Sequence, residues 1–424
     1  MRKKHFLFAS VLALLCGSST LHAQDFKLTS SGYFKNQGVD VMAFDDIYPE
    51  GHQGGVCIIM NGHRVATNGD IRLEATPGQW QPVPKQLDRK LGDNSITATL
   101  CYPDSSRHLT GFNPMIYPDL HLIYTVNVES KGKNIEVTVD LDRPIPQEFI
   151  GKVGFNLEFF PGSLFGKPWI MDGQSGIFPQ QPNSPLMTTQ PNYLHTGNYH
   201  DGKKSLADMD KLIGKGYSPI VADDIISEPY AKGTKFTSRP DDPYNKVTIE
   251  SLSGDLQLFD GRMNHNNGWF VLRSNIKPGV TKGAVKWIIT PNVVADWMYQ
   301  PVIQTSQIGY HPTQDKEAVI EMDIRDNRKE TAQIIRIDAD GEKVVKNVTP
   351  ANWGKFLRYN YLKVNFTDVK EPGLYKIKYN TSVSPIFRID NDVYARGVWQ
   401  PVLEYFLPVQ MCHMRVNEKY RVWH

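Results

Sequence analysis

Long apolar runs are all but missing from this 424-residue chain. After the first 23 residues no stretch is long and apolar enough for a transmembrane helix. Neither sign of charge is in excess, with 47 basic residues against 45 acidic. That balance offers nothing to draw the chain onto nucleic acid or an anionic membrane, so neutral partners are expected. Cysteine is scarce, at four residues. No CxxC or clustered His/Cys pattern suggests zinc, and no metal or cofactor is expected. Helical periodicity is nearly absent before residue 390, where Leu206 to Ile213 is one short candidate.

The N-terminus has the three parts of a secretory signal. Arg2, Lys3 and Lys4 form a basic start, Phe6 to Leu15 a short apolar run, and Leu21-His22-Ala23 a small-residue cleavage site before Gln24. The run is too short to span a bilayer. Cys16 raises a lipoprotein reading, but Leu14-Leu15 before it lacks the small residue that such processing wants. Residues 1–23 are therefore expected to be removed, giving an exported, periplasmic or extracellular chain with 44 basic and 45 acidic residues. Cys57, Cys101 and Cys412 then remain, an odd number that leaves at least one thiol unpaired. Cys57 and Cys101 fall in the same domain on expected strands; a disulfide between them and two separate buried thiols both stay open.

About 400 mature residues exceed what one core usually serves, so two or more domains are expected. Short β runs alternate with Gly, Pro, Asn and Asp. Val56 to Met60 is followed by Asn61-Gly62, a tight-turn signal. Strands are also expected at Ile71 to Ala75, Ser95 to Tyr102, Leu120 to Glu129 and Ile135 to Leu141, the last two joined by a hairpin loop over Ser130 to Asn134. Val153 to Phe160, Lys246 to Ser251, Leu256 to Phe259, Trp269 to Ser274 and Lys282 to Thr290 continue the series. Ile135-Glu136-Val137-Thr138-Val139-Asp140-Leu141 alternates cleanly, apolar on one face and wet on the other. The fold class is all-β: residues 24–300 as a large antiparallel β-sandwich, of the size of the supersandwich in galactose-mutarotase-like folds. Within it, Phe178 to Tyr199 is rich in Pro, Gln, Asn and Thr and can hold little regular structure.

A boundary is expected near Pro301. Beyond it, Lys316 to Asp323, Thr331 to Ile337, Leu362 to Phe366, Gly373 to Tyr379 and Ile386 to Ile389 form a second strand series, with Asp340-Gly341 as a hairpin turn. Residues 301–390 suit an immunoglobulin-like β-sandwich. Three sets of residues in it carry a resemblance: Gln307-Ile308-Gly309-Tyr310-His311-Pro312 with Lys316-Glu317-Ala318-Val319, then Gly373-Leu374-Tyr375, then Ser384-Pro385-Ile386-Phe387-Arg388-Ile389. In that order and spacing they resemble the N-terminal immunoglobulin-like module of family 9 glycoside hydrolases, the cellulases and endoglucanases. Residues 391–424, with the apolar segment Tyr394 to Arg415, resemble the opening helix of that family's (α/α)6 barrel, kinked by Pro401 and Pro408. A short C-terminal helix is expected there, with a partner surface around Trp399 and Phe406.

The resemblance implies β-1,4-glucan degradation by inversion, in which one carboxylate activates water and a second carboxylic acid protonates the leaving oxygen. The family's Asp-Ala-Gly-Asp motif does not occur in this sequence, so no catalytic residue can be carried over. Other acid pairs offer little. Asp223-Asp224 would point to opposite faces of a strand, and Asp241-Asp242-Pro243 and Asp390-Asn391-Asp392 have turn composition. Asp338-Ala339-Asp340-Gly341 looks like a calcium loop, but its twelfth position is Thr349 rather than glutamate. Asn264-His265-Asn266-Asn267-Gly268-Trp269 reads first as a polar loop entering a strand with Trp269 in the core. Sugars stack on aromatic faces, which makes turn-flanked rings the carbohydrate-binding candidates: Trp80, Trp169 and, in the proline-rich stretch, Tyr193. The expectation is an exported accessory region of a family 9-like glycoside hydrolase, cut short after the first barrel helix and without hydrolytic activity of its own. The alternative is a free-standing carbohydrate-binding protein that uses the large sandwich.

Overall fold

The computed structural model describes residues 25–45, 54–74, 77, 84–102, 120–182, 227–263, 268–395, 397–411, 415–416 and 420–421. The expected signal segment, Trp80, Tyr193, Leu206 to Ile213, Asp223-Asp224, the Asn264–Asn267 loop and Cys412 lie outside the described residues. The chain divides into two compact units, residues 1–297 and 298–424.

Among the described residues the first unit holds two nine-stranded antiparallel sheets. One runs in the order Lys27–Leu28, Phe34–Asn36, Val39–Ala43, Val56–Met60, His63–Leu73, Val153–Phe159, Phe270–Asn275, Leu256–Asp260, Ala231–Gly233. The other runs Gln174–Ile177, Pro168–Met171, Lys235–Ser238, Val247–Ser251, Val285–Pro291, Asn134–Leu141, Leu122–Lys131, Ser95–Tyr102, Lys85–Leu91. They pack face to face: Phe155 of the first meets Trp287 of the second edge-on at 5.0 Å, and Phe159 meets Phe236 at 5.8 Å. Trp287, fully buried, donates its indole N–H to Ser274 Oγ at 2.9 Å and so leaves no polar atom stranded. The all-β sandwich read from the sequence is the fold observed.

Local chemistry explains the turns. Asn61 and Gly62 both take positive φ (52° and 84°), the pair of left-handed residues that a two-residue hairpin turn requires. The loop over Ser130 to Asn134 is tighter than expected. Lys131 pairs with Asn134, so only Gly132 and Lys133 turn the chain. Cys57 and Cys101 lie in different sheets and are not bridged to each other; Cys57 Sγ instead contacts Thr67 Oγ1 at 3.1 Å.

The second unit is a sandwich of a four-stranded and a five-stranded sheet. The first runs Val302–Gln304, Glu317–Asp323, Tyr359–Asn365, Ala351–Phe356. The second runs Gly341–Val348, Ala332–Asp338, Gly373–Tyr379, Ser382–Val383, with Phe387–Ile389 also paired to Gly373–Tyr379. The residues that carried the resemblance prove to be structural. Tyr310 packs its ring against Phe366 and Phe387 and donates its hydroxyl to Glu317 O. Gly309, at φ +104°, passes so close to Arg388 O that a Cβ would meet it at 2.3 Å. Lys316 is fully buried, and its ammonium donates to the carbonyls of His311, Pro312 and Gln314. The Asp338 to Gly341 segment is a hairpin turn, with Asp338 paired to Gly341 and held by Arg336. A single α-helix among the described residues, Gln400–Met411, follows. It is shorter than the apolar segment suggested.

Candidate functional site

The first unit buries an unusual number of charges on its central strands. Alternation along Val153–Phe159 sends Phe155, Leu157 and Phe159 into the inter-sheet core and puts Asn156 and Glu158 at the alternate positions. Cross-strand register sets Asp70 on one side of Asn156 and Arg273 on the other. Asp70, Glu74, Asn156, Glu158 and Arg273 are each at most 4% exposed, and Arg72 and Asn68 are nearly so. Three carboxyl groups thus share this part of the sheet with two guanidinium groups.

Burial at this depth is tolerable only with close pairing. Arg273 supplies much of it. Its guanidinium donates to Glu74 Oε1 at 3.1 Å, to the carbonyls of Glu74 and Lys152 at 3.0 and 2.9 Å, and to Asn275 Oδ1 at 2.7 Å. Asn156 Nδ2 donates to the same Glu74 oxygen at 2.6 Å. Asn68, in the left-handed region at φ 56° beside a register shift, donates to Glu158 Oε2 at 2.6 Å. Tyr124 from the opposing sheet donates to Asp70 Oδ1 at 2.8 Å, and Arg72 lies 3.7 Å from Asp70 Oδ2. Two buried oxygens still accept no hydrogen bond, Asn68 Oδ1 and Asp70 Oδ2.

Loss of hydration on burial pushes the Glu74 carboxyl up to about 7, against the opposing pull of Arg273. The same cause pushes Asp70 up to about 6, opposed by Arg72 and Tyr124. Near neutral pH such groups can both donate and accept hydrogen bonds. Together with the amides and guanidiniums they form a closed network whose hydrogen bonds are made mostly within the fold. At one end of this face Phe160 and Trp269 pair edge-to-face at 4.4 Å, both half-buried. Trp269 therefore stands at the margin rather than in the core, where the sequence placed it.

Of the three ring candidates, Trp80 and Tyr193 fall outside the described residues. Trp169 does not sit in an open turn. It lies on the Pro168–Met171 strand and is 6% exposed, because Gly176 opposite it leaves room for the indole to lie on the neighbouring backbone. A Cβ at Gly176 would meet that ring at 2.4 Å. Its face is closed to a ligand. Sequence reasoning missed the Asp70, Glu74, Asn156, Glu158 and Arg273 set, since alternating polar residues on a strand read as a wet face. On the Gln400–Met411 helix and just before it, Trp399, Val402, Leu403, Tyr405 and Phe406 are each more than half exposed. The remaining acid pairs are turn residues: Asp242 is held by Arg239, and Arg388 reaches Asp392 at 2.9 Å. Among the described residues no helix is long and apolar enough to cross a membrane.

Residues 298–384 match the family model described as cellulase N-terminal ig-like domain. Among solved structures, the chain is similar to a Bacteroides ovatus GH9 over 28% of its length, at 23% identity and a TM-score of 0.21. That match covers only 20% of the other protein. A second similarity, to the protein described as "Crystal Structure Analysis of HI1317", covers 63% of this chain and 99% of that one at 9% identity and a TM-score of 0.27. Scores this low carry no argument about fold. No curated protein matches the chain. The family match makes the second unit cellulase-related and similar to the N-terminal region of family 9 glycoside hydrolases.

Proposed function

We propose that this chain is an exported accessory region in polysaccharide degradation, which binds a β-glucan or related glycan without hydrolysing it. The observation that carries this reading is the match of residues 298–384 to a cellulase N-terminal immunoglobulin-like domain. The residues within that match are spent on the fold: Gly309, Tyr310 and Lys316 hold a loop and a core. The basic, apolar and small-residue segments of residues 1–23 support export. The large sandwich is the second place to look, because the half-buried Phe160–Trp269 pair at its margin offers rings to a sugar. In this reading the sandwich is a carbohydrate-binding domain in its own right.

Affinity electrophoresis through native gels containing soluble β-glucan or glucomannan tests binding, and a reducing-end assay on the same preparation tests hydrolysis. Retardation without new reducing ends is expected. Release of reducing sugar, or unretarded migration in every gel, would overturn the proposal.

A further inference from the structure

The second unit holds a cavity whose lining departs from the near-balance of charge along the whole chain, 47 basic residues against 45 acidic. It measures about 340 Å³ and lies where the loop of residues 324–331 meets the strands Ala351–Phe356 and Tyr359–Asn365. A register shift between Asn352 and Gly354 makes Trp353 an extra residue in the edge strand. Asn352 and Lys355 are three residues apart and would point to opposite faces of a regular strand. With the extra residue between them they fall in register with Leu362 and Asn360, which share one face of the neighbouring strand, and so stand on that face together. Gly354, at φ +124°, carries the backbone through the bulge. Asn327 and Lys329 line the cavity from the loop. Asn360, 5% exposed, donates to Asp326 O at 2.7 Å and so ties the loop to the strand.

The acids nearest this loop are already taken. Arg325 donates to the two oxygens of Asp323 at 2.8 and 2.9 Å, and Arg328 to the two oxygens of Asp326 at 2.9 and 2.6 Å. Among the described residues no carboxylate lines the cavity, and the side chains of Lys329, Lys355 and Asn352 make no hydrogen bond or ion pair. The lining therefore offers two ammoniums and three amides, with Leu362 as its apolar part. Two like charges that share one space repel each other, and an anion between them relieves the repulsion. The amide N–H groups add donors that oxyanion oxygens can use. We propose that this cavity binds a small oxyanion, a carboxylate or phosphate group on a molecule no larger than a monosaccharide. A neutral sugar would leave both ammoniums unpaired, and a cation would be repelled, so charge selects the class of ligand. The volume sits near the lower end of small-molecule sites, which sets the size.

The test is calorimetric titration of the intact chain, at low and at high salt, with inorganic phosphate, glucuronate and glucose, the last resembling glucuronate without its charge. Phosphate or glucuronate should bind at low salt and more weakly at high salt, and glucose should not bind. In the double variant Lys329→Gln/Lys355→Gln affinity should fall about tenfold, each exposed ammonium contributing about three- to fivefold. Neither side chain is bonded within the fold, so this variant should keep the wild-type thermal midpoint. A second double variant, Lys343→Gln/Lys378→Gln, removes the same charge from two exposed lysines outside the cavity and should bind like wild type. Glucuronate binding with phosphate silent assigns the anion to a saccharide, and phosphate binding as tight as glucuronate assigns it to a free ion; both support the oxyanion site. Binding of neither anion, glucose bound as tightly as glucuronate, or equal losses in the two double variants would overturn it. So would a Lys329→Gln/Lys355→Gln protein that binds as tightly as wild type.

Discussion

Replacement of Arg273 by methionine tests the buried face of the large sandwich. Arg273 is 1% exposed, and its guanidinium serves one carboxylate, two amides and two backbone carbonyls. Methionine fills much of the volume and supplies none of the donors. Glu74 would lose its nearest guanidinium at zero exposure, leaving Asn156 and the more distant charge of Arg72 to offset it in part. Breaking a buried pair from one side costs about 3–5 kcal/mol, and the same range is expected here. Because Arg273 is the leading influence that lowers the Glu74 pKa, the variant should raise that pKa further, so its cost grows as pH rises and Glu74 ionises. A second change, Glu74→Gln, removes the stranded charge and should recover about half of the loss, since a neutral amide costs less to bury. Urea unfolding followed by near-ultraviolet circular dichroism reads all three proteins. A loss below about 1 kcal/mol in Arg273→Met, or a double variant no more stable than the single, would refute the pairing described.

Glu74 also sets a pH dependence. Its folded pKa of about 7 lies above the ordinary 4.5, so between those values the folded state holds a proton that the unfolded state has released. Stability contributed by this group is full below pH 4.5 and falls as pH rises toward 7, by about 3 kcal/mol in all; urea midpoints for wild type and Glu74→Gln across that range should converge at the acid end. Lys316→Met strands three carbonyls in the second unit and should cost about 2 kcal/mol, seen as a lower thermal midpoint. Gly309→Ala places a Cβ 2.3 Å from Arg388 O at positive φ and should cost about 2–3 kcal/mol by the same measurement.

The parts of the fold written in apolar alternation were readable from the sequence. Val56–Met60, Ser95–Tyr102 and Gly373–Tyr379 form where Val, Ile, Leu and Tyr recur every second residue between turn residues. Strands without that signal were missed. Lys85–Leu91 and Gly341–Val348 are largely exposed edge strands with charged and polar sequences, stabilised by pairing to a neighbour rather than by their own burial. The candidate site was hidden for the opposite reason. Asn156, Glu158 and Arg273 alternate with core residues as a wet face would, and only the three-dimensional cover turns that face inward. Trp169 shows the limit of flank reading, since Gly166 and Pro168 suggest a turn while Gly176, seven residues on, makes space to bury the ring. Tyr361 carries ordinary strand alternation, and its contact with Trp353 depends on a register shift that spacing does not reveal.

The most direct measurement of the central claim is glycan binding and hydrolysis by the intact chain in one titration. Soluble β-glucan is added to the protein in a calorimeter, and the cell contents are then assayed for reducing ends. The account predicts a saturable binding heat and no new reducing ends. Absence of binding heat, or heat accompanied by chain cleavage, would contradict it.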